Sequence, residues 1–205
     1  VYIQKGGVGK TTAVYNIGYE LSKFGFKVLI VDSDAQRNLT TQINPSHSIN
    51  KELAEKFKKD LADKKDKEPP VYISVDDIFR DSIYGVRGNA NYIVPTPASV
   101  SDNVEPMKVH DYESLFYIPG SIKIERLSEA ITLGIAGISS STVYVSMVTD
   151  VINSVCEKNE FDIVLYDLNP SISGLNKSII MNTDYLIMPF KADLGSLDAV
   201  VNLCS

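Results

Sequence analysis

The chain has little cysteine. Cys156 and Cys204 are the only two in 205 residues, far apart and in no Cys-x-x-Cys pair. That excludes a disulfide framework and a thiolate zinc site, and is consistent with a reducing, cytosolic compartment. No unbroken run of about 18 apolar residues occurs, so no membrane segment is expected. The first residues hold no basic segment followed by an apolar stretch, so no secretory signal is expected either. Positive charge is not in excess: 20 Lys and Arg against 26 Asp and Glu leave a net charge of −6. A surface that attracts nucleic acid everywhere is thereby excluded, although a local basic patch is not. His47 and His110 stand alone, with no second ligand at a metal-site spacing. There is no internal repeat. What the chain does have is 44% hydrophobic and 22% charged residues at a mean hydropathy of −0.02. It can bury a full core and is too apolar for a disordered tail.

Apolar periodicity predicts alternating strands and helices. Val1–Ile3 is a short apolar run, followed by the glycine-rich stretch Lys5-Gly6-Gly7-Val8-Gly9-Lys10-Thr11-Thr12. Val14, Ile17, Leu21 and Phe24 then recur at helical spacing, with Gly25 placed to end the helix. Phe26–Val31 reads as a strand buried on both faces, ending in Asp32-Ser33-Asp34. Lys51–Lys65 reads as a thin amphipathic helix with nearly balanced charges, stopped by Glu68-Pro69-Pro70. Val71–Ser74 reads as a short strand and Val75–Phe79 as the opening of a helix. Ser82–Asp111, interrupted by Pro95, Pro97 and Pro106, reads as loop with one short strand.

Leu115–Ile118 is a predicted strand. Ile124, Leu127 and Ile131 predict one helix, and Tyr144, Val148, Val151 and Val155 another, with Cys156 as core filling. Phe161–Tyr166 is a second apolar strand, closed by Asp167. Ile179–Asn182 ends a helix, Tyr185–Met188 is a strand, and Gly195–Cys204 starts a helix. The alternation predicts an α/β fold: a mostly parallel twisted sheet with helices on both faces. Ligands in such folds sit at the carboxyl ends of the strands, where the glycine loop, Asp32, Asp34 and Asp167 all fall.

The loop Lys5–Thr12 carries the strongest chemical signal. Consecutive backbone N–H groups in a glycine-rich turn converge on a phosphate, and the following helix adds its positive end. Gly6, Gly7, Val8, Gly9, Lys10, Thr11 and Thr12 are the expected phosphate-binding residues. Lys10 is expected to reach the β- and γ-phosphates and the Thr11 hydroxyl to bind Mg2+. The plain alternative is a tight turn between strand and helix. Phosphoryl transfer needs charge neutralised and a water aimed in line. Asp167, at a strand end, is expected to hold Mg2+ through water, its plain alternative being a helix N-cap.

The ordinary P-loop wants a glycine five positions before Gly9, where this chain has Gln4, followed by Lys5. The stretch resembles the deviant Walker A motif of the ParA/MinD superfamily of ATPases, at Lys5, Gly6, Gly7, Lys10 and Thr11. Gln4 resembles the start common in ParA-type proteins. Val28 to Thr40 resembles the ParA segment of apolar strand, Asp-x-Asp-Pro-Gln, small residue, Asn, with Ala35 in the place of the usual Pro. Phe161–Asp167 followed by Pro170 resembles the Walker B strand, and Leu186–Pro189 a later strand. These anchors span most of the chain, with the weakest match between Ser46 and Asp111.

The resemblance implies a single P-loop ATPase domain over residues 1–205, cut at both ends, with a charged helical insertion at about 45–70. It implies a cytoplasmic ATPase that hydrolyses ATP to ADP and phosphate as an ATP-dependent dimer switch for plasmid or chromosome partitioning or cargo positioning. A homodimer in the ATP-bound state, a ParB-like activator and non-specific DNA binding follow as expected partners. Catalytic roles fall to Lys5, Lys10 and Asp34. Lys5 reaches across the dimer to the partner's nucleotide, and Asp34 orients or deprotonates the attacking water. Metal-site roles fall to Thr11, Asp32 and Asp167, with Asp32 supporting Mg2+ or its water shell. Turn or capping roles for Asp32 and Asp34, and a solvated Lys5, are the alternatives. At the level of function the alternatives are a MinD-like membrane-associated ATPase and a regulatory relative that does not bind DNA.

Overall fold

The structure, a computed structural model, describes residues 7, 9–45, 97–102, 104–121, 124–136, 144–189 and 201. The elements expected at Val1–Ile3, Lys51–Lys65, Val71–Ser74 and Val75–Phe79, and all but one residue of Gly195–Cys204, lie outside these residues. In chain order the described elements are α1 (Lys10–Lys23), β1 (Val28–Ser33), α2 (Asn38–Ile43), α3 (Pro97–Ser101), β2 (Met107–Lys108), β3 (Leu115–Ile118), α4 (Ile124–Ile135), α5 (Tyr144–Asn159), β4 (Ile163–Leu168) and α6 (Gly174–Met181).

Four strands form one sheet in the order β2-β3-β1-β4. β1 runs parallel to both β3 and β4, while β2 pairs antiparallel with β3. All six residues of β1 are buried, the apolar run Val28–Val31 as a central strand requires and Asp32 and Ser33 with it. Successive side chains point to opposite faces. Val28 and Ile30 pack with Val14 of α1, Leu39 of α2 and Leu115 and Tyr117 of β3. Leu29 and Val31 pack with Leu127 and Ile131 of α4, Val148, Val151 and Val155 of α5, and Leu175 and Ile179 of α6. The sheet is therefore mostly parallel with helices on both faces, as expected.

One register is set at both ends of the strands. At one end Lys27 bridges the neighbours of β1. Its N–H donates to Asp162 Oδ2 at 2.7 Å, and its carbonyl accepts the Asp162 N–H at 2.9 Å. Its ammonium hydrogen-bonds the Asn159 carbonyl and lies 5.5 Å from the Phe116 ring centroid and 5.1 Å from that of Phe161. At the other end the pairing of β1 with β4 sets Asp32 directly beside Asp167.

Several details depart from the sequence expectations. Phe24, expected on the buried face of α1, is 78% exposed. The helix ends at Lys23, so Phe24 caps it and turns outward. Gly18 takes the inward place instead, where a Cβ would lie 2.8 Å from Ile30 Cδ1. Residues 97–101, expected as loop, form α3, whose first residue is Pro97. A proline is tolerated at that position because the helix does not use its N–H. Asp167 does not close its strand but lies inside β4. Tyr185–Met188, expected as a strand, is irregular, with Tyr185 90% exposed. Strand propensity reflects fit to a packed sheet surface, and these residues join no strand of the described sheet.

The C-terminus of α1 shows why its end was legible. Gly25 has φ +93°, its N–H donates to the Ser22 carbonyl, and the Phe26 N–H donates to the Leu21 carbonyl. This is a Schellman turn, which requires a left-handed residue at Gly25. An added Cβ there meets nothing within 4 Å. Gly25→Ala should therefore destabilise through backbone strain alone, by about 1–2 kcal/mol, read as a lower urea midpoint with an unchanged m-value.

Candidate functional site

The period of the strands gathers the site. Ile30 of β1 and Ile163 and Leu165 of β4 face α1, so Asp32 and Asp167, two positions further along the respective strands, face it as well. Both carboxylates are 1% exposed. Gly9 precedes α1 in a left-handed conformation with φ +83°, and Gly7 has φ +71°. Nothing lies within 4 Å of where either Cβ would stand. The first turn of α1 carries no capping side-chain hydrogen bond and no acidic residue. An open, uncapped and positively polarised helix start suits an anion.

Lys10 and Thr11 bring that helix start onto the carboxylates. Thr11 Oγ1 donates to Asp167 Oδ2 at 2.8 Å. Asp167 Oδ1 is buried and accepts no hydrogen bond. Lys10 is only 8% exposed. Burial pushes its pKa down from the usual ammonium value, against the opposing pull of Asp167 and Asp34. Burial pushes Asp167 up to about 6, with the Thr11 hydroxyl pulling it down and Asp32 adding to the rise. Asp32 is also raised by burial, while hydrogen bonds from Thr40 and from the Asp34 N–H hold it down.

The three aspartates differ in what they hold. Asp32 Oδ1 accepts the Asp34 N–H at 3.1 Å. Its Oδ2 accepts the Thr40 N–H at 2.8 Å and the Thr40 hydroxyl at 2.6 Å. Asp34, 8% exposed, caps its own turn, its Oδ1 accepting the Gln36 N–H at 2.9 Å. Asp167 alone has a buried carboxylate oxygen with nothing to bind. That orphaned oxygen, beside the Thr11 hydroxyl, fits a hard divalent cation held by oxygen ligands. Charge points the same way, since Asp32, Asp34 and Asp167 bring three carboxyl groups to one place. A polyphosphate brought there needs further positive charge.

Gly7, Gly9, Lys10, Thr11, Thr12, Asp32, Asp34 and Asp167 are thus described, and Lys10, Thr11, Asp32, Asp34 and Asp167 come together. Lys5, Gly6 and Val8 lie outside the described residues. Three features were not foreseen. Thr40 is fully buried against Asp32. The Gly120 N–H donates to Thr40 Oγ1 at 2.8 Å. Arg37, where the resembled motif has a small residue, adopts φ +53° and buries an unpaired Nε. The odd residue at position 37 was visible in the motif, whereas the partnership of Thr40 and Gly120, 80 residues apart, leaves no local signal.

Comparison with known proteins adds the following. A family model described as an AAA domain matches residues 1–205. The sporulation initiation inhibitor protein Soj of Bacillus subtilis is 25% identical over 201 residues, covering 98% of this chain and 60% of Soj. A plasmid partition protein from Borrelia burgdorferi superposes with a TM-score of 0.63 at 20% identity, over 100% of this chain and 69% of that one. Cobyrinic acid a,c-diamide synthase from Mycobacterium smegmatis, solved with an ATP analogue and magnesium, superposes with a TM-score of 0.62 at 20% identity, over 98% of this chain and 64% of that one. This chain thus spans about three fifths of the length of Soj.

The raised pKa of Asp167 makes stability depend on pH in a defined direction. The folded chain holds this proton up to about pH 6, whereas the unfolded chain releases it near the ordinary aspartate value of 3.8. Stability is therefore lost as pH rises from about 4 to about 6, and the ionised carboxylate is a standing penalty above that. Asp167→Asn should gain stability over the parent, on the order of 2 kcal/mol at pH 7.5 and little at pH 4. Urea unfolding without nucleotide or magnesium at the two pH values checks this.

Proposed function

This chain belongs to the ParA-type P-loop ATPases of the AAA-domain family, and from that premise we propose that it binds ATP with Mg2+ and hydrolyses it to ADP and phosphate as a nucleotide-dependent dimer switch. Its cargo is DNA or another large assembly to be positioned, with a partner protein that stimulates hydrolysis. The observation that carries the reading is the meeting of Lys10 and Thr11 with Asp34 and Asp167 on one sheet face, with Asp167 Oδ1 left unpaired.

The backbone N–H groups from Gly6 to Thr12 wrap the phosphates, and Lys10 neutralises the β- and γ-phosphates. Thr11 and Asp167 would hold Mg2+, and Asp32 would support its water shell. When bound, Mg2+ supplies charge neutralisation on the triphosphate. Asp34 orients a water toward the γ-phosphorus and takes its proton as the bond to the β-phosphate oxygen breaks. Lys5 reaches the nucleotide of a second copy. Two triphosphates facing one another repel unless cations lie between them, so ATP favours the dimer only while it touches both halves. The names of Soj and of the Borrelia partition protein support a cargo-positioning role, and the synthase solved with an ATP analogue and magnesium supports the ligand pair.

Three variants separate the roles. Lys10→Ala should abolish nucleotide binding in a fluorescent-ATP titration. Asp34→Ala should keep ATP affinity within about twofold while kcat falls about 100- to 10,000-fold, and normal hydrolysis by that variant would remove Asp34 from the chemistry. Lys5→Ala should leave monomers able to bind ATP but unable to dimerise with it, as read by size-exclusion chromatography with ATP, with ADP and with neither.

A further inference from the structure

Asp32 is a costly residue to bury, and the proposed chemistry uses it only at second hand. Its surroundings indicate a more specific task. Thr40 Oγ1 accepts the Gly120 N–H at 2.8 Å and donates to Asp32 Oδ2 at 2.6 Å. Because the Gly120 donor occupies one side of the hydroxyl, the hydroxyl proton is left to point at the carboxylate. The Thr40 N–H adds a second bond to the same oxygen at 2.8 Å. With Oδ2 so held, Oδ1 is aimed at the Asp34 N–H, 3.1 Å away. Asp34 in turn fixes its own side chain by accepting the Gln36 N–H.

We propose that Thr40, braced by Gly120 and acting through Asp32, is a positioning residue for the Asp34 carboxylate. The chain of bonds runs from the end of β3, through α2, to the end of β1, and joins the segments that flank the site. Gly120 has no room to be anything larger: a Cβ there would lie 2.9 Å from Asp32 Cγ and 3.1 Å from both its Oδ2 and its carbonyl oxygen. Glycine at 120 lets the main chain come close enough to donate to Thr40 without displacing the carboxylate. Anchoring α2 alone would need only the Thr40 N–H. The hydroxyl, with a donor on one side and an acceptor on the other, sets the direction of Asp32. The proposal rests on the reading of Asp34 as the group that orients water, but the geometry it predicts is measurable without hydrolysis.

The test compares the full chain with Thr40→Val, which keeps the shape and loses the hydroxyl, with Thr40→Ser, which keeps the hydroxyl, and with Gly120→Ala. Two readouts are used: steady-state ATP hydrolysis, and amide hydrogen exchange at Asp34 referenced to Leu29 and Ile30 in the preceding strand. In Thr40→Val, kcat should fall about 10- to 100-fold with the KM for ATP within about twofold. The Asp34 amide should exchange at least about tenfold faster relative to Leu29 and Ile30. Thr40→Ser should restore both readouts, and Gly120→Ala should resemble Thr40→Val. An Asp34 amide unchanged in Thr40→Val, or one accelerated only in step with Leu29 and Ile30, would overturn the positioning role. A KM that rises along with the loss of kcat, without rescue by Thr40→Ser, would also overturn it. A parent chain that does not hydrolyse ATP would instead overturn the functional reading, and the exchange data would still decide the positioning of Asp34.

Discussion

Two carboxylates side by side on one face of a parallel sheet govern this molecule. Asp32 and Asp167 are register partners in adjacent strands, and neighbouring strands lie about 4.8 Å apart. Buried like charges so close cannot both be ionised without help, and each helper is an identifiable group. Thr40 and the Asp34 main chain satisfy Asp32. Thr11 satisfies half of Asp167, and Lys10 lies near enough to oppose the remaining charge. The placement of α1 over this face, the glycine turn that starts it and the approach of β3 through Gly120 all serve that one electrostatic problem. The unsolved part is the second oxygen of Asp167, and the proposed ligand solves it.

Much of this was legible in the sequence because it depends on short-range pattern. The four-residue apolar run Val28–Val31 of β1, the four residues of β3 and the helical spacings of α4 and α5 announced themselves, since a buried central strand and an amphipathic helix each have their own pattern. The glycine loop stood out for a similar reason: glycines, lysines and hydroxyls occur together within eight residues. Even the stop of α1 was visible in one glycine. What the pattern missed was set at longer range. Phe24 turned outward because a Schellman turn, and not the helical period, governs the last residue. Gly18 turned inward because Ile30 and Leu115 leave room for nothing more. Tyr185–Met188 had the composition of a strand, but composition cannot report whether a paired edge is available.

The site shows the same division. Lys10, Thr11, Asp32, Asp34 and Asp167 were all singled out from the sequence, and the strand period explains why they meet. The different duties of the three aspartates were not visible, because duty here is assigned by hydrogen-bond partners from other segments. Asp32 faces inward to Thr40, Asp167 faces Thr11, and Asp34 is tied to the turn that follows it. Identical side chains two residues apart, at 32 and 34, thus have unlike surroundings.

The rim around Lys27 has a consequence at the opposite end of the strands. Its ammonium lies over Phe116 of β3 and over Phe161, just before β4, and its peptide group is tied to Asp162 on both sides. These contacts act as an index pin for three strands at once. If β4 slid by a single residue, Asp167 would be carried to the far face of the sheet and Tyr166 or Leu168 would stand in its place. Residues at the far end of the strands therefore keep the alignment that brings Asp167 beside Asp32 and Thr11. A misplaced carboxylate can thus originate far from the carboxylate, in a lysine and two phenylalanines.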